Sequence, residues 1–400
     1  MIETVRNDIL NKIKDISKYY VNNLDIKNSS ISLFGGLGGI SLFYFEKIHS
    51  DISEEEDVMF FFNLIDSITD KLNEDDYSLT FCDGLAGIAF IFKKYRNYLF
   101  ENGYEIDEML NEIEEILERT LITYSHNDSI KFEYLDFLHG NLGILYYFIY
   151  FKSQRSNIHK VYLSIVTCIQ EHLLAILNGN GKNINFGLAH GLCSMINVCI
   201  QYNKNYGDNE ETQKLLKIIE KIYIEAPINF NNYSLFPAIS TRESFAEEAK
   251  KKFPLGWCYG DQTISLSLYK LSLNNRSESL KKLSYKVSNH WAKKNTIGKA
   301  LCNDSFYDFS VCHGISSVIL LNNKWYDITK NDAFLQNTIY FLKETLKQNE
   351  MPDNVAGYKK CERTGTYDKD WGMLLGSIGV GLTLISCIKR DNTMLDILLI

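Results

Sequence analysis

Residues 34–40 read Phe-Gly-Gly-Leu-Gly-Gly-Ile, and related glycine-containing stretches recur six more times along the 400-residue chain. In each copy a glycine precedes an apolar segment, and these glycines stand at positions 36, 84, 140, 191, 260, 314 and 376. The spacing between successive glycines ranges from 48 residues (36 to 84) to 69 residues (191 to 260). Regular recurrence at this spacing indicates one structural unit repeated seven times.

Each repeat pairs two helical segments of different character. An amphipathic segment such as 5–20 or 332–348 precedes the glycine, and a shorter apolar segment such as 40–48 or 380–388 follows it. Because a helix that is apolar all round belongs in an interior, the apolar helices should form an inner ring inside the amphipathic ones. We therefore predict an all-α fold, an α/α-toroid of seven helical hairpins that occupies residues 1–400 as a single domain.

The longest interval between motifs predicts a small insertion. Residues 226–256 hold three of the four prolines of the chain, Pro227, Pro237 and Pro254. Proline lacks a backbone N–H and interrupts helices, so we expect extended chain with turns here. Its place beside the fifth motif suggests a flap over the site described below.

Composition and charge exclude several classes of protein. The formal net charge is −8 and the longest basic run is 250–252, so a nucleic-acid binder is not expected. The N-terminal segment lacks the apolar core of a signal peptide, and uninterrupted apolar stretches such as 144–151 are too short to span a bilayer. The nine cysteines stand singly, as is typical of a reducing compartment. We expect a cytoplasmic protein.

Cysteine and histidine residues concentrate just before the motif glycines. In a closed ring of hairpins, these loops lie at the same end of the barrel, around one mouth. Fourteen positions lie directly before the seven glycines, and six of them are Cys82, His139, His190, Cys258, Cys312 and His313. With nine cysteines and eight histidines in 400 residues, chance predicts fewer than one. The mouth is therefore predicted to be a chemical site.

Three of these residues form a predicted metal site. Cys258, Cys312 and His313 come from neighbouring hairpins and can therefore meet. Two thiolates and an imidazole leave the fourth position of a tetrahedral zinc ion open, as in catalytic rather than structural zinc sites. We predict one Zn²⁺ per chain on these ligands. For any single cysteine, the alternative is a buried small hydrophobic residue.

Other residues at the mouth are candidates for acid–base chemistry. His190 lies in the adjacent hairpin and is the natural proton donor or acceptor beside such a metal. Asp136 would orient a histidine or hold a proton, although an aspartate at this place also serves as a helix cap. Tyr259 would donate a hydrogen bond or simply pack. The residues at the mouth whose roles are left open are Cys82, Asp83 and His139.

The seven motifs, together with Gly256-Trp-Cys-Tyr-Gly-Asp261 and Cys312-His-Gly314, resemble the lanthionine cyclase family over essentially the whole chain. The resemblance implies an α/α-toroid with a zinc ion and an extension domain. It implies an enzyme that closes thioether rings in a lantibiotic precursor peptide whose serines and threonines have been dehydrated. A dehydratase and an exporter in a membrane-associated complex are the further partners it suggests.

The resemblance also assigns roles residue by residue. It matches Cys258, Cys312 and His313 to the zinc ligands of the family, and it places three residues in the catalytic site, His190, Asp136 and Tyr259. One position departs from the pattern, because the family often carries an arginine four residues before the first zinc cysteine and this chain has Pro254. A nearby cation would replace that arginine, or its function is absent; the candidates are Arg242, Lys250, Lys251 and Lys252.

The predicted reaction adds a cysteine thiol to a dehydroalanine or dehydrobutyrine, with His190 as donor of the proton to the α-carbon. Two other functions stay open at this point. One is an enzyme that adds glutathione or another thiol to dehydrated residues, and the other is a non-enzymatic peptide-binding scaffold with structural zinc. Other α/α-barrels, such as prenyltransferases and glycosidases, are a more distant alternative.

Overall fold

A computed structural model gives the architecture. It describes residues 5–73, 77–126, 132, 135–179, 183–292, 301, 308–347, 354–361, 366–390 and 392–400. The inner-ring helices are α2 (Leu37–His49), α4 (Leu85–Glu101), α6 (Asn141–Tyr150), α8 (Leu192–Tyr206), α11 (Asp261–Asn275), α13 (Ile315–Thr329) and α15 (Ser377–Ile388). The outer-ring helices are α1 (Arg6–Asn23), α3 (Glu55–Leu72), α5 (Asp107–His126), α7 (Ser156–Leu177), α9 (Glu210–Ile224), α12 (Glu278–Ala292) and α14 (Asp332–Lys347).

The two rings close on themselves. Each inner helix contacts the next inner helix in chain order, and α15 contacts α2. Each inner helix also packs against the outer helix that follows it, and α15 packs against α1. The predicted toroid of seven hairpins, with apolar helices inside, is therefore confirmed.

Every inner helix begins directly after a motif glycine, which is its N-cap residue. Close approach of the loop explains the glycine. A Cβ on Gly84 would lie 2.0 Å from the carbonyl oxygen of Ser78, which accepts a hydrogen bond from Leu85 N at 2.9 Å. A side chain at this position would push apart the turn that starts the helix.

Backbone hydrogen bonds join the motif loops around the mouth. They are Phe34 N to Cys82 O (3.2 Å), Cys82 N to Leu138 O (2.9 Å), Leu188 N to Cys258 O (2.8 Å), Cys258 N to Cys312 O (3.1 Å), Cys312 N to Leu374 O (3.0 Å) and Leu374 N to Phe34 O (3.0 Å). These bonds fix the relative positions of the residues that precede the glycines, so side chains from different repeats are held around one opening.

The strands are minor, as expected for the predicted all-α fold. β1 (Ile184–Asn185) pairs antiparallel with β2 (Ile239–Ser240), and β3 (Lys360–Cys361) pairs antiparallel with β4 (Tyr367–Asp368).

The insertion 226–256 contains β2 and the short helix α10 (Phe245–Glu248), so the extended chain expected there includes one two-residue strand. The buried carboxylate of Asp261, the first residue of α11, accepts hydrogen bonds from the backbone N–H groups of Leu235 (2.9 Å) and Phe236 (3.0 Å). The insertion is thus anchored to an inner helix at this point. Its role as a flap and the single-domain boundaries stay predictions.

Helix α7 is the one described helix that is long and apolar enough, by length and composition alone, to cross a membrane. In the structure it packs against α5 and α9 in the outer ring, and the side chains buried on it, such as Ile158, Tyr162 and Ile165, follow a helical repeat. This pattern is that of an amphipathic helix with one face on a core.

The C-terminal segment packs against the inner ring and reaches the predicted zinc loop. Helix α16 (Thr393–Ile397) and the residues after it are largely buried. The carbonyl of Leu398 accepts a hydrogen bond of 2.8 Å from the indole of Trp257, and the carbonyl of Leu399 accepts one of 2.8 Å from Lys270. Because Trp257 precedes Cys258, this segment supports the loop that carries the first predicted zinc ligand.

A buried ion pair ties the first hairpins together and gives a first prediction. Lys47 Nζ lies 2.6 Å from Asp57 Oδ2, and both side chains are almost fully buried. We expect Asp57→Ala to lower the free energy of unfolding by about 3 kcal/mol, because Lys47 would be left as an unpaired buried charge. Denaturant unfolding measures the change. The matched control is Asp107→Ala, which breaks the exposed pair with Arg96 and should cost less than about 1 kcal/mol. Equal losses of unfolding free energy in the two variants would show that burial of the Lys47–Asp57 pair does not set the cost of breaking it.

Candidate active site

The predicted metal ligands meet at the mouth. Cys258 lies in the loop before α11, and Cys312 and His313 lie in the loop before α13. The Sγ atoms of Cys258 and Cys312 are in direct contact, and their Cα atoms are 5.7 Å apart. Convergence of this kind is required both for a disulfide and for two thiolates on one metal ion. The structure therefore brings the two sulfurs together, with His313 directly after Cys312 in the same loop, and the role of the three residues as zinc ligands stays a prediction.

Asp308 supports His313 and was not foreseen. Its buried carboxylate lies 3.2 Å from His313 Nε2, through Oδ2, which also accepts a hydrogen bond of 3.1 Å from Cys361 N. Its other oxygen accepts from the backbone N–H of Ser310. A carboxylate on one imidazole nitrogen fixes the ring and leaves the other nitrogen, Nδ1, as the metal-binding atom.

A sequence signal for Asp308 exists in the repeat. Asp308 stands six residues before its motif glycine, and small polar residues stand at the same offset in four other repeats. The full set is Ser30, Ser78, Asn185, Asp308 and Asp370. An alignment of the repeats would have shown that these five share a small polar residue six positions before the glycine.

His190 and Asp136 form a hydrogen-bonded pair. His190 Nδ1 contacts Asp136 Oδ2, and Asp136 Oδ1 accepts a hydrogen bond of 2.7 Å from the backbone N–H of His139. Burial alone would raise the pKa of Asp136, but the hydrogen bonds from His190 and from the His139 backbone hold that pKa below its ordinary value. The carboxylate is thus ionised at neutral pH, so Nδ1 of His190 carries a proton and Nε2 is the nitrogen that can exchange one.

Tyr259 and His139 flank His190. The ring centre of Tyr259 is 6.0 Å from that of His190, and the ring centre of His139 is 5.9 Å from it in a nearly parallel stack. Gly187, in the His190 loop, lies against Tyr259, since a Cβ there would be 2.6 Å from Tyr259 Cδ1. The three predicted catalytic residues therefore form one cluster, which the bond from Leu188 N to Cys258 O links to the cysteine loop.

The three residues without an assigned role form a second cluster. Cys82 Sγ lies 3.4 Å from Asp83 Oδ1, and His139 Nδ1 lies 3.5 Å from Asp83 Oδ2. One ligand atom from each residue lies within 4.8 Å of the other two, so the cluster could hold a metal ion. The hydrogen bond between the side chains of Asp83 and His139 lowers the pKa of Asp83 and raises the pKa of His139.

Comparison with known proteins agrees with this architecture. The family model "Lanthionine synthetase C-like protein" matches residues 27–400. The chain belongs to the lanthionine synthetase C-like family. The solved structure of a nisin cyclase matches with a TM-score of 0.69 at 18% sequence identity, covering 100% of this chain and 97% of that chain. At this identity the match shows a shared fold. No curated protein sequence matches the chain.

In this lanthionine synthetase C-like protein, the basic side chains that are close to Pro254 in the sequence make their contacts away from the motif loops. Arg242 Nη2 lies 3.0 Å from Glu225, at the end of α9, and Nη1 donates to Leu177 O at 3.0 Å. The three lysines lie in the insertion: Lys250 pairs with Glu247, Lys251 pairs with Glu248, and Lys252 lies over the ring of Tyr233. None of these contacts places a cation at the mouth, so replacement of the family arginine by these residues finds no support.

The Asp308 contact gives a second prediction. We expect Asp308→Asn to weaken zinc binding by about 10- to 100-fold, because the neutral amide polarises and orients His313 less than a carboxylate does. Competition with a zinc-binding dye measures the affinity. Asp368→Asn, at an exposed aspartate on β4, is the control and should leave the affinity unchanged. Unchanged affinity in Asp308→Asn would remove Asp308 from the metal site.

Proposed function

We propose that this chain is a zinc-dependent lanthionine cyclase. It would close thioether rings by adding cysteine thiols to dehydroalanine or dehydrobutyrine in a dehydrated lantibiotic precursor peptide. Membership of the lanthionine synthetase C-like family supports a cyclase-type activity. The observation that carries the proposal is the arrangement at the mouth, where a Cys/Cys/His set and a His–Asp pair lie on loops bonded to each other.

The residues at the mouth fit a zinc ion. Cys258 and Cys312 supply two converging sulfurs and His313 an imidazole, which together are a three-ligand set for catalytic zinc. The Asp308 carboxylate on His313 is the support that such a ligand requires. When bound, zinc lowers the pKa of a thiol that joins it, so that a substrate cysteine becomes a thiolate near neutral pH.

The acid–base pair would complete the addition. The sulfur of the substrate cysteine forms a bond to the β-carbon of the dehydro residue, and the electrons of the carbon–carbon double bond move to an enolate. A proton delivered to the α-carbon then restores a saturated residue. His190 Nε2 is our donor for this proton: it would take up the proton that the substrate thiol releases and deliver it to the α-carbon, while Nδ1 stays bonded to ionised Asp136. The thiol loses one proton and the α-carbon gains one, so the ring forms without a change in mass.

Tyr259 would position the His190 ring. Its side chain lies against Gly187 on one side and faces His190 on the other.

Holding the two ends of a peptide in the same mouth raises their effective concentration, which accounts for part of the rate. A cytoplasmic location, peripheral to the membrane through a dehydratase and an exporter, belongs to the proposal as well.

One assay separates this function from its alternatives. A peptide with one dehydroalanine and one cysteine is incubated with the protein in the presence of glutathione, and products are analysed by mass spectrometry after thiol alkylation. The cyclase produces a product of unchanged mass that cannot be alkylated. A glutathione adduct would favour the alternative thiol-adding enzyme. Peptide binding without any loss of thiol would favour the scaffold and contradict the proposal.

A further inference from the structure

The cluster of Cys82, Asp83 and His139 repeats the layout of the predicted zinc ligands. In the zinc set, two ligands stand directly before one motif glycine and a third stands before the glycine of a neighbouring repeat. In the second cluster, Cys82 and Asp83 stand before Gly84, and His139 stands before Gly140. The loops are joined by the same type of bond, from Cys82 N to Leu138 O at 2.9 Å. Two pairs of neighbouring motif loops therefore present donor sets at one mouth, although the third donor directly precedes its glycine in this cluster (His139) and stands two residues before it in the zinc set (Cys258).

The donor atoms of this cluster suit a borderline divalent cation. A thiolate, an imidazole and a carboxylate together favour Zn²⁺ or Co²⁺ over Mg²⁺ or Ca²⁺, which take oxygen ligands. Cys82 is buried, whereas the side chains of Asp83 and His139 are about half exposed, at 54% and 53%. A cation can therefore enter from the mouth, and water or a thiol of a bound peptide can fill the remaining position.

We infer that Cys82, Asp83 and His139 form a second divalent-cation site, distinct from the Cys258 set and weaker than it. The weaker affinity follows from the donors, since this site offers one thiolate where the other offers two. Burial, together with the carboxylates of Asp83 and Asp136, raises the pKa of the Cys82 thiol, so a cation must displace its proton.

The site lies beside the acid–base pair. The His139 ring stacks on the His190 ring, and the His139 backbone N–H donates to Asp136. A cation held by His139 would thus bring positive charge next to the proposed proton donor. The site goes beyond the proposed cyclase activity and does not depend on it.

Cobalt added to the zinc-containing protein tests this inference. Wild type is passed through gel filtration to keep only tightly bound zinc, and Co²⁺ is then titrated in while zinc content and near-ultraviolet absorption are recorded. We expect one further equivalent to bind, with a charge-transfer band that corresponds to one thiolate. Cys82→Ser should abolish the band, and His139→Gln should weaken cobalt binding by at least about tenfold.

Controls keep this result separate from the predicted zinc site. Cys168→Ser, on outer helix α7, should behave as wild type. Cys258→Ser should lose the tightly bound zinc yet keep the single-thiolate cobalt band, so failure of the zinc site does not hide the second site. Absence of a second equivalent in folded wild type, or persistence of the band in both Cys82→Ser and His139→Gln, would overturn the inference.

Discussion

Replacing His190 with alanine should reduce the rate of ring closure by about 10²- to 10⁴-fold while the protein keeps its zinc. The reduction follows from the loss of the proton donor for the α-carbon. The metal should stay because Cys258, Cys312 and His313 lie on other loops. The measurement is single-turnover cyclisation of a dehydrated peptide, followed by mass spectrometry after alkylation, with zinc content determined on the same sample.

The matched control is His159→Ala. His159 is an exposed histidine on outer helix α7, and its loss should change cyclisation by less than about twofold. Asp136→Asn adds a second test, because it keeps the size of the side chain but removes the charge that holds Nδ1 protonated. Its activity should fall below that of wild type at mildly acidic as well as neutral pH, because the lowered pKa keeps the Asp136 carboxylate of wild type ionised throughout this range. Full activity of His190→Ala would remove His190 from the mechanism.

Replacing Gly143 with alanine should destabilise the fold by about 4 kcal/mol or more. Gly143 is the second glycine of the third motif, where α6 packs on its own loop and on the neighbouring repeat. A Cβ there would lie 2.0 Å from the carbonyl oxygen of Phe137 and 2.6 Å from the Cβ of Phe81, and both phenylalanines are fully buried. Relief would require movement of the loop that carries Asp136 or of the preceding repeat, which carries Phe81.

The control for this prediction is Gly35→Ala in the first motif. A Cβ on the exposed Gly35 would meet only the hydroxyl oxygen of Ser32, at 3.3 Å, so the cost should be below about 1 kcal/mol. Thermal and denaturant unfolding of both variants give the comparison. If Gly143→Ala unfolds like wild type, the close approach of loop and helix does not explain the glycines of the repeat.

The repeat made most of the fold predictable from sequence. The motif glycines mark the starts of all seven inner helices, because only glycine lets the loop carbonyl approach as closely as Ser78 approaches Gly84. The apolar and amphipathic character of the segments then sorts them into two rings. The packing of the C-terminal segment was not predictable, because the bonds from Trp257 and Lys270 reach its backbone carbonyls, which any residue would provide.

The site was predictable where the repeat places residues next to a glycine. Cys258, Cys312, His313 and His190 were selected in this way; the structure places their loops at one mouth, and their roles stay predictions. Asp308 was missed because its contact with His313 depends on how the motif loop folds back over six residues. The second cluster was seen as three residues at the mouth, but the pairing of Asp83 with His139 across two repeats required the coordinates. Replacement of the family arginine by a cation near Pro254 was one of two possibilities, and the pairing of Arg242 with Glu225 does not support it.

Metal content together with a thiol count decides whether Cys258 and Cys312 are thiolate ligands of a catalytic zinc ion. Zinc per chain is measured on gel-filtered wild type, on Cys258→Ala and on the control Cys168→Ala, and each sample is assayed for loss of the substrate thiol. Reactive thiols are then counted after denaturation in a chelator without reductant. We expect one tightly bound zinc and nine reactive thiols in wild type. Both the zinc and the consumption of substrate thiol should be lost in Cys258→Ala, and both should be retained in Cys168→Ala. Wild type without zinc, with Cys258 and Cys312 joined in a disulfide and two fewer reactive thiols, would contradict this expectation.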